Sequence, residues 1–155
     1  AEHLARKYGA SREQLAATRE TLRQRGAELG FSFGERPRVW NTFDAHRLLH
    51  WAGIEGHQAA LQHALFRAYF TDGENPGAHD VLLRAATEVG LDAAKARQVL
   101  ASGAYADEVR ERERFYQAQG LHAVPAVIVD DRHLIQGGQP VEVFEQALRQ
   151  IAAAT

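Results

Sequence analysis

The sequence predicts an α/β protein that is mostly helical, and three features of its 155 residues support that class. Apolar residues recur at helical spacing over most of residues 12–118, apart from an irregular stretch at 31–40. A short β-branched run then follows at 124–129, and an amphipathic helix closes the chain. A hydrophobic fraction of 45% and a charged fraction of 25% are typical of a globular domain with its own core.

The composition excludes several functional classes. The chain has no cysteine, so it contains no disulfide, no thiolate metal ligand and no cysteine nucleophile. The net charge is -2, and the 18 Lys and Arg form no basic stripe of the kind that binds nucleic acid. No apolar run approaches the roughly 20 residues of a membrane-spanning helix. We therefore expect no nucleic-acid partner, no membrane partner and no cofactor. With no methionine in the sequence, we expect Ala1 to follow processing or truncation.

Start and stop signals divide the helical part of the chain. Residues 2–8 read as the end of a helix that Gly9 stops. Ser11 and Gln14 have the spacing of a capping box for a helix over 12–25. A helix is predicted to begin at Asn41 or Thr42, and another to span 57–70. Asp80 and Asp92 are predicted to cap two further helices, and a last long helix of this part covers roughly 103–118.

The closing segment changes from helical to strand periodicity. The run at 126–129 reads as a strand buried on both faces, Asp130 and Asp131 as a tight turn, and 132–136 as a second strand. Pro140 fits the first turn of the last helix. A two-stranded hairpin is marginal by itself in water, and residues 1–40 lack the β-branched density to extend it. We therefore expect its partner strands to lie N-terminal to Ala1 or to come from another chain.

Four stretches of the sequence resemble the FrnE branch of the DsbA family of thioredoxin-fold oxidoreductases. They are NTFDAHRLLHWA at 41–52, RAYFTDGEN at 67–75, EVGLDAAKARQVLAS at 88–102 and HAVPAVIVDDRHLIQGGQPVEVFEQALRQ at 122–150. The resemblance implies a thioredoxin-like fold that is split by an inserted helical domain. Residues 1–40 would lead into the insertion, 41–120 would form it, and 121–155 would be the closing strand–strand–helix. The opening βαβ unit, which carries the Cys-x-x-Cys motif in that family, is absent from this sequence.

The same resemblance implies where a substrate binds. Pro125 matches the cis-proline that lies beside the redox helix, and the backbone of Val124 would pair with an extended substrate segment as an added strand. We therefore predict Val124 and Pro125 as substrate-binding residues. Thiol–disulfide exchange requires a thiolate, so we predict no catalytic residue within this chain.

Gly138 and Gln139 form a second candidate site at the turn into the last helix. Their N–H groups, at a helix N-terminus, are placed to hold an anion such as a substrate or glutathione carboxylate. The alternative is ordinary turn chemistry, with glycines that adopt positive φ and a proline in the first helical turn. Kappa-class glutathione transferases and 2-hydroxychromene-2-carboxylate isomerases, which are similar in fold, bind glutathione near this position.

His46 and His50 lie one helical turn apart, a spacing that two metal ligands can use. Zinc sites take three or four protein ligands, and no third ligand has a suitable spacing here. We therefore expect two surface or half-buried histidines and no metal.

Three functions are compatible with these observations. The first is a thiol–disulfide oxidoreductase or isomerase that acts on protein thiols and disulfides. This chain would supply its cis-proline side and helical cap, and would be redox-inactive alone. The second is a glutathione-dependent isomerase or transferase of the kappa-like type, and the third is a non-catalytic binding fragment. The branch resembled indicates the cytoplasm, and an exposed sheet edge indicates a homodimer.

Overall fold

The computed structural model describes residues 11–35, 38–121 and 124–153, and it is mostly helical with one small sheet. The helices are α1 (Arg12–Glu28), α2 (Phe43–Ile54), α3 (Gln58–Phe66), α4 (His79–Glu88), α5 (Ala93–Ala101), α6 (Ala106–Ala118) and α7 (Val141–Ala153). A π-helical turn, Arg67–Thr71, continues α3, and strands β1 (Ala126–Val129) and β2 (His133–Gln136) precede α7. The helix predicted at 2–8 lies outside the described residues. None of the helices in the described ranges has both the length and the apolarity that crossing a membrane requires.

The chain divides into two compact units, Ala1–Val109 and Arg110–Thr155. We call the first the helical unit and the second the closing unit.

The predicted capping box at the start of α1 is confirmed. The main-chain N–H of Gln14 donates to Ser11 Oγ at 3.1 Å, and the main-chain N–H of Ser11 donates to Gln14 Oε1 at 2.8 Å. Two of the N–H groups that have no partner inside a helix are satisfied in this way. The helix continues to Glu28, three residues beyond the predicted end.

The core of the protein lies in the helical unit. Helix α2 packs against α3 and α5, and α4 packs against the same two helices. Within the described part of the chain, every buried apolar side chain lies between Ala45 and Leu100. Leu48, Leu61 and Leu82 are completely buried where these four helices meet.

The helix predicted over 57–70 is present, but its last turn is π-helical instead of α-helical. The α-helical pattern ends at Phe66, and the N–H of Asp72 reaches back five residues to the carbonyl of Arg67 at 3.1 Å. The wider turn lets the carbonyl of Phe70 accept a hydrogen bond from the N–H of Gly34 at 2.7 Å. A Cβ on Gly34 would lie 2.2 Å from the carbonyl oxygen of Thr71, so only glycine fits this approach. Hydrophobic periodicity does not distinguish one π-helical turn from an α-helical one.

Two predicted helix starts are also wrong. Asp80 does not cap α4, because an earlier turn at Asn75 lets the helix begin at His79, and Asp80 lies in its first turn. A carboxylate in the first turn still interacts favourably with the positive end of the helix dipole. The helix predicted from residue 103 begins at Ala106, because Tyr105 has φ 62, a left-handed conformation that no α-helix contains.

The closing unit contains the predicted hairpin and last helix. Strands β1 and β2 are antiparallel, with Ala126 opposite Gln136 and Val129 opposite His133. Asp130 and Asp131 have φ 51 and 53, and the N–H of Arg132 donates to the carbonyl of Val129 at 3.2 Å. Positive φ at both central positions is what a type I′ hairpin turn requires, so the predicted turn is confirmed.

The closing unit has no buried residue in its described part. Val127 is 39% exposed and Ile128 is 42% exposed. Successive side chains of a strand point to opposite faces, so both faces of β1 are partly open. Within the described residues a hairpin and one helix do not enclose β1, and the partner strands expected from outside this sequence stay a prediction.

Candidate functional site

The predicted substrate-binding pair lies immediately before β1. The Val124–Pro125 peptide bond is cis, and the Val124 side chain is 89% exposed. The carbonyl of Pro125 accepts a hydrogen bond from the N–H of Gly137 at 2.9 Å. The pair is therefore held at the open end of the hairpin, with Val124 accessible to solvent.

The hydrogen bond at Pro125 also shows which main-chain groups of β1 face outward. In an antiparallel pair, alternate residues of a strand direct their N–H and C=O groups toward the partner strand. Since Pro125 pairs with Gly137, the register directs Val127 toward β2 and directs Ala126 and Ile128 away from it. The outer edge of β1 therefore continues the line of Val124, where an additional strand can pair.

The turn between β2 and α7 uses the N–H of Gln139, one of the groups that were predicted to hold an anion. The N–H of Gln139 donates to the carbonyl of Gly137 at 3.0 Å, and Gln139 Nε2 donates to the carbonyl of Gln136 at 2.9 Å. Gly137 has φ 82, as expected for a glycine turn, and Glu142 places a negative charge in the first turn of α7. These contacts fit ordinary turn chemistry. An anion contact at Gly138 and Gln139 stays a prediction.

The two histidines of α2 have separate surroundings. The ring of His50 lies against that of Tyr105 with centroids 5.1 Å apart, whereas His46 is exposed. Over the described ranges no three His, Cys, Asp or Glu side chains converge as metal ligands would.

The sequence reasoning missed Arg47, which is 5% exposed and the one buried charged residue of the described chain. Its Nη1 donates to Asp44 Oδ1 at 2.8 Å, and its Nε donates to the carbonyl of Ala104 at 2.8 Å. Its Nη2 donates to the carbonyls of Val99 and Ser102. Burial of a guanidinium requires such partners. An Asp and an Arg three residues apart, with the Arg on the apolar side of a helix, were the available signal.

Asp44 joins this buried arginine to the surface. Its Oδ2 lies 2.9 Å from Nε2 of His79, at the start of α4. The hydrogen bond with His79, and after it the hydrogen bond with Arg47, hold the pKa of Asp44 below its ordinary value, against the opposing effect of partial burial. Asp44 is therefore ionised at neutral pH and neutralises part of the buried charge of Arg47.

A helical unit joined to a closing strand–strand–helix, with a proline at the entrance to the first strand, defines a thioredoxin-fold protein with a helical insertion. The profile of the DSBA-like thioredoxin domain family matches residues 3–149, and the chain belongs to that family. The predicted family and fold are thus confirmed.

Two relatives show how much of the family's length is present. The chain is 40% identical to the probable DsbA oxidoreductase SCO1869 from Streptomyces coelicolor, with a TM-score of 0.87 over 98% of this chain and 66% of that one. It is also 35% identical to the uncharacterized protein YwbO of Bacillus subtilis over 85 residues. This aligned segment covers 54% of this chain and 42% of YwbO. The chain therefore spans less than two thirds of each of these relatives.

A third comparison shows similarity of fold alone. The structure of a 2-hydroxychromene-2-carboxylate isomerase superposes with a TM-score of 0.72 over 99% of this chain and 89% of that one, at 20% identity.

Proposed function

We propose that these residues form the helical cap and the substrate-binding side of a thiol–disulfide oxidoreductase or isomerase of the FrnE branch. Its substrates are protein thiols and disulfides, and its compartment is the cytoplasm. The redox cysteines belong to a segment outside these 155 residues, because the chain contains none.

The observation that carries the proposal is the exposed apolar surface of the closing unit. Apolar side chains on its hairpin and on α7 remain between 39% and 89% exposed. They are Val124, Val127, Ile128, Leu134, Val141, Val143 and Leu148. Soluble proteins rarely leave so many neighbouring apolar residues open without a partner. The chain matches only 66% of SCO1869. This supports the proposal that further strands of the same fold, outside these 155 residues, cover the exposed apolar surface of the closing unit.

The segment that carries the cysteines performs the thiol–disulfide exchange, and these 155 residues bind the substrate. A thiolate at a helix N-terminus attacks one sulfur of a substrate disulfide, and the S–S bond breaks as a mixed disulfide forms and one substrate thiolate leaves. A second cysteine attacks the mixed disulfide, which releases the reduced substrate and leaves the enzyme oxidised. In this scheme the backbone of Val124, beside Pro125, binds the substrate backbone as an added strand, which holds the substrate sulfur beside the attacking thiolate.

The test compares two proteins. One is the product of the complete reading frame that encodes this sequence, and the other is the 155-residue chain. Reduction of insulin by dithiothreitol is followed as turbidity. We expect catalysis by the complete product, loss of catalysis when its cysteines are changed to serine, and the uncatalysed rate with the 155-residue chain. A complete product without cysteine, or one that is inactive in both the reductive and the oxidative direction, would contradict the proposal.

The second candidate is glutathione-dependent chemistry, which the resemblance in sequence implied for proteins of similar fold. A lone serine in place of the Cys-x-x-Cys motif distinguishes it. Titration of the complete product with glutathione in a calorimeter is the measurement, with Gly138→Pro as the variant that removes one N–H from the predicted anion contact. Saturable binding that this variant weakens would favour the second candidate, and no heat of binding would exclude it. A complete product that neither carries cysteines nor binds glutathione would leave a non-catalytic binding fragment as the function.

A further inference from the structure

The connection between α5 and α6, residues 102–105, is held in place by side chains of α2. Arg47 Nε donates to the carbonyl of Ala104 at 2.8 Å, and Arg47 Nη2 donates to the carbonyls of Val99 and Ser102. The last carbonyls of a helix have no donor within it and are usually satisfied by a glycine-containing cap or by water. Here a guanidinium from another helix donates to these three carbonyls, and Ser102 Oγ also donates to the carbonyl of Val99 at 3.3 Å.

A strained residue ends the same connection. Tyr105 has φ 62, and bulky side chains rarely adopt this left-handed conformation. Its ring packs against the core and lies on the ring of His50 with centroids 5.1 Å apart. His50 follows Arg47 by three residues, so one turn of α2 contacts both the carbonyls and the strained end of the connection. A strained conformation persists only where its surroundings impose it.

We propose that Arg47 is a positioning residue. Its hydrogen bonds hold residues 102–105 against α2 and thereby fix the position at which α6 begins relative to α2. Helix α6 starts at Ala106 and carries the chain past Val109, where the helical unit ends. A displacement of the connection and of the start of α6 from α2 requires the guanidinium to leave the carbonyls of Ser102 and Ala104. Asp44 keeps the guanidinium oriented from the other side.

The experiment measures amide hydrogen exchange in the 155-residue chain and two matched variants. Arg47→Met keeps the length of the aliphatic stem and removes every donor. Arg84→Met is the control, because Arg84 has the same side chain in an exposed ion pair with Glu74 on the same unit. The reporters are the N–H groups of Ala104, Ala106 and Val109, which donate to Ser102 Oγ and to the carbonyls of Gly103 and Tyr105.

We expect Arg47→Met to accelerate exchange at these three amides by about tenfold or more, while amides inside α2 and α4 change several-fold less. Arg84→Met leaves the three amides unchanged. Unchanged exchange in Arg47→Met, or an equal increase throughout the helical unit, would overturn the assignment. Should Arg47→Met fail to fold, Arg47→Lys answers the same question. It retains the charge but replaces the planar fork by one nitrogen, so we expect a smaller acceleration confined to the same amides. No acceleration there would also refute the proposal.

Discussion

Shortening one leucine in each unit tests whether the core lies only in the helical unit. Leu82 on α4 is completely buried, whereas Leu148 on α7 is 50% exposed. Leu82→Ala removes buried methyl groups and leaves a cavity among packed neighbours, which costs about 3–4 kcal/mol of unfolding free energy. Leu148→Ala forfeits about half of the transfer free energy of a leucine and opens no closed cavity, so it costs about 1 kcal/mol.

The assay is urea unfolding in a Trp40→Phe background, which leaves Trp51 as the single tryptophan, followed by far-UV circular dichroism and by the emission of Trp51. This tryptophan is 4% exposed and belongs to the same core cluster as Leu82. With a typical dependence of about 2 kcal/mol per molar urea, Leu82→Ala should lower the midpoint by about 1.5–2 M. Leu148→Ala should lower it by about 0.5 M. Equal losses for the two variants, or a loss below about 1 kcal/mol for Leu82→Ala, would refute the assignment of the core.

Three further predictions follow from individual contacts. Asp44→Asn should be less stable than the parent at pH 7, and the difference should narrow in thermal melts as the pH falls through about 4 and below. The reason is that folding lowers the pKa of Asp44. Its contribution to the free energy of unfolding is therefore complete above the unfolded-state pKa and is lost as the pH falls through the folded-state pKa. A stability difference that does not depend on pH would contradict this. Gly77→Ala should cost about 2 kcal/mol or more in urea unfolding, because a Cβ there would lie 2.2 Å from the carbonyl oxygen of Asn41. Gly53→Ala is the control inside α2, where the new Cβ meets only Gln58 at 3.5 Å, and it should stabilise by about 0.5–1 kcal/mol. We also propose that the 155-residue chain dimerises through the outer edge of β1. Light scattering should then show an average mass that rises with protein concentration, and Ile128→Lys should lower that mass toward the monomer value. A strict monomer at high concentration would exclude this contact.

Local signals predicted the elements whose hydrogen bonds close within a few residues. Ser11 and Gln14 bond to each other, Asp92 accepts from the N–H of Lys95 at 2.8 Å, and the Asp130–Asp131 turn closes its own hairpin. These structures depend on residue type and spacing alone. The family was also accessible from sequence, because its motifs are contiguous stretches.

Contacts between distant residues were not accessible in the same way. The π-helical turn after α3 accompanies a hydrogen bond between Gly34 and Phe70. The burial of Arg47 depends on carbonyls more than 50 residues away along the chain. A periodicity argument counts apolar positions, and it carries no information about which main-chain groups lie across the interface.

The sequence by itself determined the mostly helical class, the hairpin turn, the amphipathic last helix and the absence of a redox thiol, because each depends on residue types at short spacing. Only the tertiary structure decided that an arginine of α2 holds the end of α5 and that, among the described residues, no apolar side chain beyond Leu100 is buried. The physical reason is that burial is a property of neighbours. The strand at 126–129 has the composition of an interior strand, yet its side chains are enclosed only when other strands and helices lie against them.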